Sequence, residues 1–322
     1  MSELHKFIFE GLPVRGMLVR LTESWTDLLA RRAAVGAYPP PVRALLGEMA
    51  AAGVLMQSNI KFNGALILQI HGDGPVGLAV TEIQPDLAFR ATASVTGAVA
   101  DDARLAALVN VHGGGRCAIT LDPQDRLPGV QPYQGVVGLH GDQGEPLQDI
   151  GAVLEHYMLQ SEQLDTRLVL AADDQVAAGL LIQRLPVEGE GNLERAARED
   201  RIGLDEAFNR IAILAGSLKR EELLSLDVDT ILRRLFWEEP LRRFEPLRGA
   251  DGPRFACRCS RERVARMLRG LGRAEVDSLI EERVTADVGC EFCGAHYRFD
   301  AVDVGELFTP ATDQPPSSVA VQ

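Results

Sequence analysis

The sequence predicts an α+β fold built from more than one part, on three observations. Between residues 65 and 185, short apolar segments are separated by turns containing Gly and Pro, the pattern of antiparallel strands with tight connections. Between 194 and 248 the apolar residues shift to spacings of three and four and charge becomes dense, as in amphipathic helices. Beyond 251, four of the five cysteines fall in two close pairs. At 322 residues the chain is too long for one minimal core. The expected partition is an α+β core domain over 1–190, a helical linker over 191–250, a small cysteine-bearing module over 251–308 and a disordered tail over 309–322.

The elements follow in order. Pro41 to Ile60 is apolar at helical spacing through Leu45, Leu46, Met49, Val54 and Leu55, which predicts a buried helix. Strands are expected over Ala65–His71 and Val76–Gln84, joined by the turn Gly72-Asp73-Gly74-Pro75. More are expected over Phe89–Val95, Cys117–Leu121 and Gln134–His140. Leu147–Gln160 places Ile150, Leu154, Tyr157 and Met158 on one helical face, and Arg167–Ala171 and Ala178–Leu185 supply the last two strands. Together these predict an antiparallel sheet packed with helices.

The middle segment reads as all helix. Phe208, Ile211, Leu214 and Leu218 form one narrow stripe; Ile231, Leu232, Leu235 and Phe236 form another, with Asp227 or Asp229 as the cap of its helix. Stripes this thin need another surface to bury them. Residues 194–248 carry 11 basic and 12 acidic side chains, whereas 1–193 carry 13 and 22, so the net charge of −13 belongs mainly to the core domain. Pro186–Asn192 and Gly249–Pro253, rich in Gly and Pro, are candidate boundaries. Thr309–Gln322 is polar and Pro-rich and is expected to be disordered.

Composition excludes several classes. No apolar run approaches the roughly 20 residues that span a bilayer, and Met1 to Glu10 holds no apolar signal core, so a cytoplasmic location is expected. The acidic balance argues against broad binding to a phosphate backbone. Gly72-Asp73-Gly74-Pro75-Val76-Gly77 has the spaced glycines of a dinucleotide loop but lies between strands, so it reads as a hairpin turn. Gly113-Gly114-Gly115 lacks the Lys-Ser/Thr of a phosphate loop. His112, His140 and His156 have no catalytic signature beside them, and Cys117 reads as a small apolar strand residue. No catalytic constellation is found, so no enzyme is expected.

The cysteines carry the chemistry. Cys257-Arg258-Cys259-Ser260 is followed, about thirty residues later, by Cys290-Glu291-Phe292-Cys293-Gly294. Two close pairs with a domain-sized insert are the layout of a tetrahedral thiolate zinc site. Cys257 and Cys259, two apart, project to one side of an extended chain, and Gly294 suits the positive φ of a zinc knuckle. Ser260 is placed to cap a helix carrying Val264, Met267, Leu268 and Leu271; Val276, Leu279 and Ile280 suggest a second helix, and Tyr297 and Phe299 a strand. A small zinc-binding carboxy-terminal module of this kind has little core, and thiolate zinc supplies roughly 10–16 kcal/mol of folding free energy in such modules. The plain reading is a structural zinc site. Three features favour a redox-sensitive one. The first pair, if oxidised, would close a very small and labile ring. Arg258, Arg261 and Arg263 favour thiolate over thiol. The neighbouring helical segment is thinly packed enough for zinc loss to disturb.

The Cys-X-Cys-Ser-Arg-Glu-Arg run from Cys257 and the Cys-X-X-Cys-Gly-X-X-Tyr-X-Phe run from Cys290 resemble the redox-regulated 33-kDa heat-shock chaperone family. Lys61-Phe62-Asn63-Gly64, Gly72-Asp73-Gly74-Pro75, Gln134-Gly135-Val136-Val137 and Ser161-Glu162-Gln163 resemble its amino-terminal domain, and Glu221-Glu222-Leu223-Leu224 its linker. The resemblance implies an ATP-independent holdase. In the reduced state Cys257, Cys259, Cys290 and Cys293 would bind one zinc per chain. Oxidation would form Cys257–Cys259 and Cys290–Cys293 disulfides, release zinc, unfold the module and linker, and expose apolar surface to unfolding client proteins. It also implies a homodimer when oxidised, and neither a membrane nor a specific nucleic-acid partner. The alternative is a zinc-ribbon nucleic-acid-binding protein, suggested by seven arginines from Arg254 to Arg273.

Overall fold

The computed structural model describes residues 1–125, 131–186 and 196–309. The expected tail beyond Thr309, and the boundary beyond Pro186, lie outside the described residues. The chain divides into two compact units, the first ending at Ala256 and the second starting at Cys257.

In the first unit β1 (Glu3–Phe9) and β2 (Val14–Leu21) precede α1 (Glu23–Ala33) and α2 (Pro40–Gln57). Then come β3 (Gly64–His71), β4 (Val76–Ile83), β5 (Ala88–Val95), a short α3 (Leu105–Val109), β6 (Arg116–Pro123) and β7 (Tyr133–Gly138). α4 (Ile150–Glu162) leads to β8 (Thr166–Ala172) and β9 (Ala177–Arg184). After α5 (Ala196–Gly216), α6 (Arg220–Ser225) and α7 (Val228–Phe236) come three short strands: β10 (Leu241–Arg243), β11 (Leu247–Arg248) and β12 (Arg254–Phe255).

The antiparallel architecture expected from the sequence is present, divided over two six-stranded sheets. The first runs β10–β1–β2–β9–β8, with β11 also on β1; the second runs β12–β5–β4–β3–β6–β7. Only β12 on β5 is a parallel pairing among these strands. Helix α2 lies between the sheets and is buried along most of its length. Two glycines show how close the layers are. A Cβ on Gly47 would stand 2.4 Å from the Ala172 Cβ of the first sheet, and one on Gly53 would stand 2.1 Å from the Ile83 Cδ1 of the second. The hairpin read from Gly72–Pro75 joins β3 to β4, and Asp73 accepts the Gly114 N–H at 2.6 Å, tying down the triple-glycine loop. Cys117 is fully buried in β6, and burial pushes its thiol up to about 12.

The outer face of the first sheet is covered by α5–α7. Phe208, Ile211, Leu223, Ile231, Leu232 and Phe236 pack there on Phe7, Phe9, Val14, Leu18, Leu180 and Ile182. The thin stripes of the middle segment are therefore buried on the sheet. Asp227 is the cap of α7, its carboxylate accepting the Thr230 N–H at 2.9 Å, while Asp229 pairs with Arg243 at 2.7 Å. Arg20 reaches from the sheet to the end of α6 and donates to the carbonyls of Leu223, Leu226 and Leu224 at 2.7, 2.7 and 3.0 Å, a cation at a helix C-terminus. The all-helical reading of the middle segment needs one correction: Leu241–Arg243 and Leu247–Arg248 are strands on β1. Segments of two or three residues are too short to show a period of two.

The second unit holds α8 (Arg261–Leu271), α9 (Arg273–Arg283), the hairpin of β13 (Ala286–Gly289) with β14 (His296–Phe299), and α10 (Ala301–Phe308). Ser260 caps α8 as expected, accepting the Arg263 N–H at 3.3 Å. The core of this unit is small: Leu268, Val276, Ala286, Phe299, Val304 and Leu307. Met267 and Leu271, read as part of the α8 stripe, are instead about half exposed. An eleven-residue helix in so small a unit buries only one edge. Among the described residues no helix is long and apolar enough to cross a membrane.

Candidate metal centre

Two pieces of irregular backbone meet in the second unit. Cys257 and Cys259 lie in the extended segment that enters α8, and Cys290 and Cys293 lie in the turn between β13 and β14. That turn is closed by main-chain bonds. The Cys290 N–H donates to the Ala295 carbonyl, and the Gly294 N–H to the Cys290 carbonyl, each at 2.8 Å. Gly294 has φ +70°, the left-handed conformation a side chain would strain.

The fold brings the four sulfurs together, all within 4.8 Å of one another. Cys257 and Cys290 sulfurs are 3.6 Å apart, and those of Cys259 and Cys293 3.3 Å. A zinc–sulfur bond of about 2.3 Å sets a tetrahedron with edges of about 3.8 Å, so the cluster has the dimensions of a four-thiolate metal site. Among the described residues it is the one His, Cys, Asp or Glu cluster so arranged. His112, His140 and His156 are not part of it.

The electrostatics suit a cation at the centre. Burial works to raise the Cys259 thiol, but the Tyr297 hydroxyl, 3.1 Å from its sulfur, and the neighbouring sulfurs outweigh it and bring the thiol down to about 7. Burial raises Cys257 and Cys293 above the usual thiol range. Four sulfurs at this separation cannot all ionise without positive charge among them, which a divalent ion would supply.

Arg261 plays a different part from the one read in the sequence. Arg261 turns from the sulfurs: it pairs with Asp303 at 2.6 Å, donates to the Arg298 carbonyl at 2.7 Å and stacks on Phe299 at 4.3 Å. The principal lowering of Cys259 comes from Tyr297 and the other thiols. Tyr297 was readable as a strand residue and as the Tyr of the run that starts at Cys290, with no role at the sulfurs assigned to it.

The model of the Hsp33 protein family matches residues 2–300. The 33 kDa chaperonin of Chromobacterium violaceum is 46% identical over 307 residues, covering 95% of this chain and 94% of that protein. The 33 kDa chaperonin of Methylobacillus flagellatus is 40% identical over 321 residues, covering 99% and 98%. The crystal structure of the 33 kDa chaperonin from Thermotoga maritima has the same fold, with a TM-score of 0.73 at 20% identity over 95% of this chain and 98% of that one. With the family's match running nearly end to end and its relatives this similar, the chain belongs to the Hsp33 protein family, a family of chaperones.

Proposed function

We propose that this protein is a redox-regulated, ATP-independent holdase, with one zinc ion per chain held by Cys257, Cys259, Cys290 and Cys293 in the reduced state. The observation that carries the reading is an all-sulfur cluster of tetrahedral size in a unit whose described residues form a buried apolar core of six side chains. Soft thiolate ligands suit zinc. Bound there, it would join the entry of α8 to the β13–β14 turn and supply folding free energy that the core lacks.

Two molecules of a peroxide would take four electrons from the four thiolates. Two sulfur–sulfur bonds form, the peroxide oxygens leave as hydroxide, and the ligands for zinc are gone. The family resemblance pairs Cys257 with Cys259 and Cys290 with Cys293. One residue before Cys257 the chain is still fastened to the second sheet, where the Ala256 N–H donates to the Phe89 carbonyl at 3.0 Å. Unfolding of the metal module would therefore pull on the two-residue strand β12. Release of α5–α7 behind it would bare Phe7, Phe9, Leu18, Leu180 and Ile182 for unfolding client proteins. A homodimer of the oxidised form and a cytoplasmic location complete the reading. The nucleic-acid alternative is weakened by the pairing of Arg254, Arg261 and Arg273 with Asp86, Asp303 and Asp277.

The test is peroxide treatment with mild heating, following zinc release, aggregation of a model client and disulfide-mapped peptides on one sample. We expect about one zinc per chain, released as client protection appears, and sharply reduced zinc content in Cys257→Ser and Cys290→Ser. Equal protection by reduced and oxidised protein would sink the switch, and unchanged metal in both variants would sink the ligands. Peptide mapping decides the pairing.

A further inference from the structure

The inner face of the first sheet changes character past the end of α2. Along β1, β2 and β9 the residues meeting the helix are apolar, among them Leu4, Met17, Val19 and Leu181. Successive inward positions on the same strands are Lys6, Arg15 and Gln183. Lys6 is accounted for: its ammonium donates to the Ser58 carbonyl at 2.6 Å, at the C-terminus of α2.

Arg15 is not. Its Nε and Nη2 donate to Gln183 Oε1 at 3.2 and 2.5 Å. The Gln183 amide nitrogen in turn donates to Thr166 Oγ1 at 2.9 Å, which aims the oxygen at the guanidinium. No carboxylate pairs with Arg15 among the described residues. Burial depresses its basicity, and burial together with the neighbouring Arg15 depresses that of Lys6. A half-buried guanidinium with a neutral partner is under-compensated, because its desolvation is not offset by an opposite charge.

Beside Arg15 a pocket of about 270 Å³ opens between the two sheets. Its apolar lining includes Met56, Ile60, Leu66, Ile119, Leu121 and Leu181. Glu162 also lines it, at an exposed position, and is engaged by the Tyr157 hydroxyl at 2.9 Å. An apolar cleft with a few placed polar groups is the general form of a small-molecule site. Here the apolar wall sets the tail and the uncompensated cation sets the head.

We propose that this pocket binds a medium-chain aliphatic carboxylate, its head paired with Arg15 and its chain between the sheets. The volume lies just under the usual range for ligand sites, roughly 300–1,000 Å³, which suits a medium chain rather than a long one. The guanidinium presents planar paired donors that match a carboxylate. The site lies within the first unit and does not depend on the metal centre.

Calorimetry on the reduced, full-length protein tests this with decanoate, decanol and decylammonium as probes, all below their aggregation limits. We expect one decanoate per chain, with binding about tenfold or more weaker for decanol and for decanoate on Arg15→Met, the scale of one charge-assisted contact. Arg15→Lys should fall between. The probe comparison on the unaltered chain stands even if Arg15→Met fails to fold. Decanol or decylammonium binding as tightly as decanoate, multiple sites insensitive to Arg15, or no decanoate binding would each overturn the proposal.

Discussion

Phe236→Ala is the sharpest perturbation of the layer that covers the first sheet. Phe236 ends α7 and is 2% exposed. Its ring lies 5.1 Å from Phe9, edge-on at 88°, and 6.2 Å from Phe7. Removing a buried phenyl group costs about 3–5 kcal/mol, which includes about 0.5–1.5 kcal/mol for each aromatic pair. The ring joins the layer to β1, so the cost falls first on the free energy of local opening. At about 1.4 kcal/mol per tenfold, the detached population rises from about a hundredfold to several thousandfold. Hydrogen exchange reads this directly. Amides of α7 should exchange at least about a hundredfold faster in the reduced variant, while those of β3 and β6, at the middle of the second sheet, keep their protection. The same sample should slow client aggregation without oxidant. Equal acceleration in both sheets would show that the layer and sheets open as one unit, and unchanged α7 protection would show that the layer is held elsewhere; either refutes the reasoning.

Three further outcomes are expected. Tyr297→Phe removes the hydroxyl that bonds the Cys259 sulfur, so peroxide-driven zinc release should accelerate severalfold and zinc affinity fall by about 10- to 100-fold, measured with a chromogenic chelator. Burial pushes the Glu48 carboxyl up to about 7 against the pull of Arg220. Its folded pKa lies above its unfolded one, so its contribution to stability is fully present below about pH 4.5 and lost as pH rises through about 7. Urea midpoints between pH 5 and 8 should therefore show a slope that Glu48→Gln flattens. Gly47→Ala drives a methyl into the Ala172 Cβ and should cost about 1–3 kcal/mol by overpacking, read in the same urea assay.

What could be read from the sequence depended on how many faces of an element are buried. The β3–β4 hairpin announced itself through Gly72–Pro75, and α2 through Leu45, Leu46, Met49, Val54 and Leu55 at helical spacing. The first two strands gave no such signal. Leu4 faces α2 while Phe7 and Phe9 face the outer helices, so apolar residues fall on both sides of β1 and the alternation that marks a one-sided strand is blurred. β12 is two residues held by register with β5, a property of the partner rather than of Arg254 and Phe255. At the candidate metal centre the gathering of the four cysteines was legible because thiol chemistry follows from residue type and spacing. Tyr297 and the diversion of Arg261 to Asp303 and Phe299 were not, because both depend on where β14 and α10 lie around α8.

The lengths of the covering helices bear on what detachment means. α6 has six residues and α7 has nine, below the roughly 12–15 at which isolated helices become even marginal in water. Their helical state therefore comes from the sheet beneath them and from fastenings such as Arg20 on the α6 carbonyls. Once lifted from the sheet they should not persist as free helices, so undocking and unfolding are one event. That makes α6 and α7 a two-state part of the cover, whereas α5, with 21 residues, lies above that length: either Phe7 and Phe9 are sealed by an ordered α7, or they are bared and Ile231, Leu232 and Phe236 are bared with them. On the proposed function, its undocking would present apolar sheet and flexible apolar chain together, a surface able to adapt to clients of no fixed shape.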